Sequence, residues 1–303
     1  MPYIICSEYQ LSEFSDWMLN VGYSNIPSRA KEGEIEPSWI KIPSDLVLTT
    51  DGDKLSCIVD AIYPDLFQRY QDATYLKERA ILAPTNEIAE VVNDHIISIL
   101  PGQSQEYFSC DTISKSAGGH ESYELLYPVE FLNSLNGNNF LQHILSLKIG
   151  VPIMLLHNLN QSDGLCNGTR LIITRLGDKM IQATMITGPR TREDVFIPRI
   201  SITLKCTKWP YVLERRQFPI KACYAMTINK SQGHTLSYIG VYLKKPVFSH
   251  GQLYVAVSRV TGRQGLKLLM LDDDENCTDE RRNVVYKEVF ASLTSAHISS
   301  LAS

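Results

Sequence analysis

Residues 218–235 read Phe218-Pro-Ile-Lys-Ala-Cys-Tyr-Ala-Met-Thr-Ile-Asn-Lys-Ser-Gln-Gly-His-Thr235. An apolar run passes straight into a polar Asn-Lys-Ser-Gln end and then a glycine, which predicts a helix over 222–232 closed by Gly233 as a C′ residue. Working outward, 238–243 is expected as a strand, 250–258 as a helix, 266–271 as a strand and 281–293 as a last helix. Upstream, Arg79-Ala-Ile-Leu-Ala83 is a short apolar strand. It leads through Pro84-Thr85-Asn86 into a helix with Ile88, Val91, Val92, His95, Ile96 and Ile99 on one side. Strands that alternate with helices on both flanks of a central segment give an α/β frame.

That central segment, about 150–220, has a different texture. Short β-like runs at 151–156, 170–174, 180–187 and 195–204 are separated by Gly164, Gly168, Gly177 and Gly188-Pro189 at hairpin-like intervals, which predicts a small β-barrel inserted in the α/β frame. At the N-terminus, Leu11, Phe14, Trp17, Met18 and Val21 recur at helical spacing, so 8–22 is expected as a packing helix with Gly22 at C′. Residues 23–53 are rich in Pro, Gly and acids and read as loop with a short extended piece around 39–48.

The chain has 303 residues, 44% apolar and 20% charged, with a formal net charge of −4. That composition suffices for a buried core and excludes disorder, collagen and coiled coil. Lys148 interrupts the best apolar run, so no membrane span is expected. The first acids (Glu8, Glu13, Asp16) precede the first base (Arg29), which fits neither a secretory nor a mitochondrial presequence. Seven cysteines form no C-x-x-C pair and the histidines show no zinc spacing, so the thiols are expected reduced and no metal site is expected. The charge is uneven: residues 165–221 carry 11 basic and 4 acidic side chains within an acidic chain, and also hold Trp209, Tyr211 and Phe218. Such a segment suits a nucleic-acid backbone with bases stacked on rings, or equally a solvated sheet face.

Three stretches in order carry the chemistry: Ile81-Leu-Ala-Pro-Thr-Asn86, the 218–235 run, and His250-Gly-Gln-Leu-Tyr-Val-Ala-Val-Ser-Arg259. Each alone has a bland reading as capped turn, polar helix end or surface arginine at a helix C-terminus. Together they resemble the C-terminal motor motifs of the petite-integration-frequency family of 5′-to-3′ DNA helicases, including those of Helitron transposons. Asn158-Leu-Asn-Gln-Ser-Asp-Gly-Leu-Cys-Asn-Gly-Thr-Arg170 resembles the opening of that family's SH3-like inserted domain.

The resemblance implies an α/β fold, a RecA-like second lobe of the P-loop NTPase type over 79–149 and 217–303, with an SH3-like insertion over 150–216 and an N-terminal region over 1–78. It implies that Thr85 and Asn86 lie near the nucleotide cleft and that Lys230, Ser231, Gln232 and Gly233 couple bound DNA to nucleotide, with Ser231 on the DNA side. Gln252, Tyr254, Ser258 and Arg259 match the motif whose arginine reaches the γ-phosphate, and a permanently charged guanidinium stabilises charge that grows on phosphoryl oxygens. The basic insertion adds Arg170, Arg199, Lys205, Lys208, Arg215 and Arg216 as candidate DNA contacts. Adjacent Arg215 and Arg216 cannot face one side of a regular strand, so only one of them is expected to touch DNA.

A phosphate loop ends in Gly-Lys-Ser/Thr, and the chain contains no Gly-Lys dipeptide. In the resembling family that loop and the magnesium acids lie in a first RecA-like lobe upstream. ATP and Mg2+ are thus expected only in a complete two-lobe enzyme, with the first lobe in the same or another chain, single-stranded DNA as partner and a nuclear or else cytoplasmic location. Alone, the chain is expected not to hydrolyse ATP. The rival readings are a non-enzymatic single-stranded nucleic-acid-binding module and a truncated transposon-derived remnant.

Overall fold

The structure, a computed structural model, describes residues 2–31, 33, 37–113, 127–135, 141–188, 190–205, 211–245, 249–286 and 288. Along the chain these form α1 (Pro2–Tyr23), β1 (Ser28–Arg29), β2 (Trp39–Lys41), α2 (Lys54–Ile62), α3 (Leu66–Arg69), α4 (Ala73–Lys77), β3 (Arg79–Ala83), α5 (Asn86–Ile99), β4 (Gln105–Phe108), β5 (Cys110–Ile113), α6 (Val129–Ser134) and β6 (Ile144–Leu147). There follow β7 (Pro152–Leu155), β8 (Arg170–Leu176), β9 (Met180–Met185), β10 (Asp194–Pro198), β11 (Ile200–Lys205), β12 (Val212–Gln217), β13 (Ile220–Ala222), β14 (Ala225–Thr227), β15 (Tyr238–Leu243), α7 (Gln252–Val257), β16 (Leu266–Met270) and β17 (Glu280–Arg282). The chain divides into two compact units. The first takes in residues 1–66, 78–92 and 225–303, the second residues 67–77 and 93–224.

The first unit is built on a four-stranded sheet of order β14-β3-β15-β16, parallel throughout. Its strands are buried almost end to end, as parallel strands covered on both faces are. Helix α2 packs on β3, β15 and β16, its start fixed by the Asp53 carboxylate, which accepts from the Leu55 and Ser56 amides. Glycine is required where backbones approach: a Cβ on Gly265 would lie 1.8 Å from the Ser237 carbonyl oxygen. A three-stranded antiparallel sheet β1-β2-β17 completes this unit.

Three expectations need correction here. Helix α1 runs through Gly22, and the residue with positive φ is Ser24 (φ 56°). Gly22 is small for another reason, since a Cβ there would meet the Tyr254 ring at 3.0 Å. The run 222–232 is not a helix: it is the end of β13, then β14, then a 3-10 turn over Ile228–Ser231, although Gly233 does take a positive φ of 82°. Cys223 to Met226 and Ile228 are all wholly buried, and an apolar run buried on every side carries no period from which helix and strand can be told apart. Residues 280–282 form β17, where a helix from 281 was expected, and most of the rest of that span lies outside the described residues.

The second unit holds a five-stranded antiparallel sheet of order β10-β9-β8-β7-β13, with a bulge in β8 between Ile173 and Arg175. Beside it are a three-stranded sheet β11-β12-β5 and the ribbon β4-β6. The predicted β-like runs of 151–156, 170–174, 180–187 and 195–204 appear as β7 to β11. Helix α5 is rotated from the expected face: Ile88, Ala89, Val92, Ile96 and Ile97 are buried, whereas Val91 is 54% exposed and Ile99 38%. The C-terminal end of α5 is capped by Lys148, whose Nζ donates to the Leu100 carbonyl at 2.7 Å.

Candidate functional site

Because β3 and β14 are parallel and in register from Ala225 opposite Ile81 to Thr227 opposite Ala83, the segments that follow them leave the same edge of the sheet. Thr85 and Asn86 stand after β3, and the Lys230 turn after β14. Thr85 caps α5: its Oγ1 accepts from the Ile88 amide at 3.4 Å and its carbonyl from the Ala89 amide at 3.2 Å. The exposed Glu87 carboxyl is held below its ordinary value by its own amide first and the Thr85 hydroxyl second. The bland reading of Pro-Thr-Asn as a capped turn is therefore true of the geometry, whatever else these residues do.

In the 3-10 turn Lys230 is half-buried and Gln232 and Gly233 are exposed. Ser231 has no exposed surface and its Oγ donates to the Ile228 carbonyl at 2.6 Å. Its hydroxyl is spent on its own turn, which corrects the expectation of a direct DNA contact. Helix α7 packs against this turn. Gln252, at its first residue, is only 2% exposed, so the amide expected to meet nucleotide does not stand on the surface. At the far end of α7 the Arg259 carbonyl accepts from the Leu236 amide at 2.9 Å, so the segment 231–236 runs from the turn to the arginine. The half-buried Arg259 folds back along its helix, with Nε on the Val255 carbonyl at 3.1 Å and Nη2 on the Ser258 hydroxyl at 2.9 Å. Its Nη1 makes no hydrogen bond among the described residues and remains open to an anion. That fits one phosphate contact. Magnesium is not matched in the same way, since among the described residues no cluster of three or more His, Cys, Asp or Glu is placed to hold a metal ion.

The basic side chains of the second unit separate into two kinds. Arg170 is fully buried, its guanidinium donating to the carbonyls of Leu76 (3.1 Å), Lys77 (3.2 Å) and Cys223 (3.4 Å). Arg215 is also fully buried: Nε and Nη2 grip the Asp111 carboxylate at 2.6–3.1 Å, while Nη1 and Nη2 reach the carbonyls of Leu132, Leu135 and Leu141. Neither guanidinium reaches the surface, which corrects both as DNA contacts. Burial of a charge requires hydrogen-bond partners of this kind. Arg216, one residue on, is exposed, as strand alternation demands. Arg199 is half-buried, donating to the Phe108 carbonyl and Gln217 Oε1 and lying over the Phe218 ring. Lys205 is the last residue of β11, and Lys208 lies outside the described residues.

The rings expected to stack on bases are also corrected. Tyr211 packs with Ile113, Leu132, Leu213 and Tyr127, and Phe218 is buried edge-on to Tyr107, while Trp209 lies outside the described residues. Cations that sequence reasoning missed include Lys244, at the end of the parallel strand β15 and paired with Glu275 at 2.7 Å, and Arg281. The latter is buried with Nη2 on the carbonyls of Leu243 and Leu271, and burial pushes it down to about 10. A basic residue at the end of a buried strand was a signal in the sequence for the first. Arg281 carried none. Among the described residues no helix is long and apolar enough to cross a membrane.

Comparison with known proteins gives these placements a context. Residues 130–176 match the family model described as the DNA helicase Pif1 2B domain, a span that starts at α6 and ends with β8. The chain is 33% identical over 149 residues to the ATP-dependent DNA helicase PIF1 of Homo sapiens, covering 47% of this chain and 22% of that protein. It is 30% identical over 153 residues to the ATP-dependent DNA helicase PIF6 of Trypanosoma brucei brucei, covering 50% and 19%. The match thus spans about a fifth of the length of these curated relatives. Among solved structures, the Pif1 helicase of Candida albicans is similar with a TM-score of 0.51 at 23% identity over 80% of this chain and 57% of that one. Bacteroides Pif1 bound to ssDNA is similar with a TM-score of 0.51 at 21% identity over 83% and 55%. The chain is thus similar to a part of the Pif1-type ATP-dependent DNA helicases.

Proposed function

We propose that the chain is the second motor lobe of an ATP-dependent 5′-to-3′ DNA helicase, with the first unit as the RecA-like lobe and the second unit, which takes in residues 93–149 as well as the expected 150–216, as an SH3-like insertion. The observation that carries the reading is the path of one short segment. It leaves the sheet edge shared by Thr85, passes through Lys230 to Gly233 and ends hydrogen-bonded to Arg259, whose Nη1 is uncommitted. A turn that touches DNA at one end and positions the arginine at the other would couple the two ligands.

When bound between two lobes, ATP supplies the phosphoryl transfer and Mg2+ the neutralisation of its charge. This chain contributes Arg259 to the γ-phosphate, Lys230, Gln232 and Gly233 to coupling, and Arg199 and Arg216 to the strand. The phosphate loop and metal ligands come from the first lobe. Phosphoryl transfer depends almost wholly on positioning and electrostatics, so the chain alone turns over no ATP.

ATP hydrolysis by the purified chain, with and without single-stranded DNA, tests this against Arg259→Ala. No turnover above the variant is expected, together with DNA binding that weakens as salt rises. DNA-stimulated turnover that requires Arg259 would overturn the division between lobes. Salt-sensitive binding in the absence of any ATP effect, even after a first lobe is supplied, would instead favour a non-enzymatic binding module.

A further inference from the structure

Helix α7 is six residues long, and its C-terminal end is closed by side chains where a backbone amide is missing. The Ser258 amide donates to the Tyr254 carbonyl at 2.9 Å and the Arg259 amide to the Ala256 carbonyl at 3.4 Å. The Val255 carbonyl, which an ideal helix would bond to the Arg259 amide, is therefore left over. Two side-chain donors take the place of that amide, the Ser258 hydroxyl at 3.2 Å and Arg259 Nε at 3.1 Å. A serine hydroxyl has one proton, and here it is on Val255. Ser258 Oγ thus meets the guanidinium with a lone pair and accepts from Nη2 at 2.9 Å. The two side chains form one interlocked cap, with the guanidinium at the carbonyl end of the helix, where a cation is favoured.

The backbone that carries this cap is held from several directions. Helix α7 packs against α1 and against the 3-10 turn of Lys230. The Tyr254 ring lies over Gly22, and the Leu236 amide is bonded to the Arg259 carbonyl at 2.9 Å. Any movement of the arginine is then a movement of its side chain. A guanidinium grips phosphate best with two parallel N–H bonds, through either the Nη1–Nη2 edge or the Nε–Nη2 edge. Both edges include Nη2, and Nη2 is the nitrogen committed to Ser258. With Nη1 alone uncommitted, the half-buried arginine offers a phosphate a single prong.

We infer that Ser258 is a positioning residue that parks Arg259 on its own helix and competes with phosphate for Nη2. In the parked state the arginine caps Val255. In the released state Nη2 turns from the hydroxyl to a phosphate oxygen, and the Ser258 hydroxyl stays on Val255, so the carbonyl is not orphaned when the arginine leaves. A phosphate draws the side chain out by as much as it binds the released state better than the parked one. The inference rests on the reading of Arg259 as the γ-phosphate contact, and it adds the group that holds the arginine back while no nucleotide is bound.

The test reads the Arg259 Nε–H signal in proton–nitrogen NMR spectra of the whole chain, assigned by its loss in Arg259→Lys. In the wild type its exchange with water is expected to be at least about threefold slower than that of Arg216, which is exposed and whose guanidinium makes no hydrogen bond among the described residues. That comparison needs no change at position 258. Ser258→Ala is expected to speed the Arg259 exchange about three- to tenfold, the worth of one hydrogen bond, and Ser258→Thr, which keeps a hydroxyl, to stay within about twofold of wild type. Titration with inorganic pyrophosphate is expected to move the same signal, with an affinity about three- to tenfold higher in Ser258→Ala than in wild type. Wild-type exchange as fast as at Arg216, exchange unaltered by Ser258→Ala, or exchange equally fast in the Thr and Ala variants overturns the parking. Equal pyrophosphate affinities in wild type and Ser258→Ala overturn the competition. If exchange behaves as expected but pyrophosphate leaves the Arg259 signal unmoved in every form, the parked geometry stands and the phosphate reading of Arg259 falls.

Discussion

Arg215 and Arg216 are adjacent, carry the same charge and have opposite fates. Arg215 spends every guanidinium nitrogen on Asp111 and three carbonyls, while Arg216 points to water. Removing one partner of a buried pair leaves the other charged and unsolvated, so Arg215→Leu is expected to cost about 3–5 kcal/mol. Arg216→Ala should change stability by no more than about 0.5 kcal/mol. Urea midpoints of the two variants check this, and near-equal losses would contradict the pairing. A second residue-scale expectation concerns pH. Asp45 is held below its ordinary value chiefly by its hydrogen bonds with Arg263, at 2.8 and 2.9 Å. A carboxylate with a depressed folded value stabilises above its unfolded value and loses that contribution as pH falls through the folded one. The pair is largely exposed, so its share is about 0.2–1 kcal/mol. Arg263→Gln should thus lower the urea midpoint at pH 7 and differ progressively less from wild type as the medium is acidified below the ordinary carboxylate range.

Elements were legible in the sequence wherever burial has a direction. Strand alternation announced that only one of two adjacent arginines faces out, and β3 and β15 have the bounds their apolar runs suggested. What alternation could not say is which arginine turns inward, because the deciding group, Asp111, lies 104 residues away. The stretch that became β14 was misread because it is enclosed on all sides, so no polar face marks its period. Tyr211 and Phe218 were misread for a related reason. A ring among cations has the same sequence signature whether it stacks on bases or fills a core. In α5 the error was one of rotation. Val91 and Val92 were both assigned to the buried side, but Val91 is 54% exposed and Val92 fully buried. Val92→Ala should therefore cost about 1–3 kcal/mol and Val91→Ala less than about 0.5, measured by thermal or urea unfolding. Equal costs would mean that the helix sits on a different face.

On the scale of the molecule, three motifs spread over residues 81–259 carry the resemblance to Pif1-type helicases. The match covers about a fifth of the curated relatives, and among the described residues Arg259 keeps one guanidinium nitrogen uncommitted while no cluster of metal ligands is found. Placing the basic segment was the harder matter. Of its candidate contacts, two hold the protein together from inside. The exposed basic surface is smaller than the charge count of 165–221 implied.

Arg170 holds the carbonyls of Leu76 and Lys77, just before β3, beside that of Cys223, just before β14. The places where the chain quits the second unit are thereby pinned side by side. A segment with tethered ends can grow or shrink between them at little entropic expense, since closure cost rises only with the logarithm of loop length. The turns that join β8 to β11 can then lengthen or shorten at little cost, provided that Arg170 with its three carbonyls and the Arg215–Asp111 pair are kept.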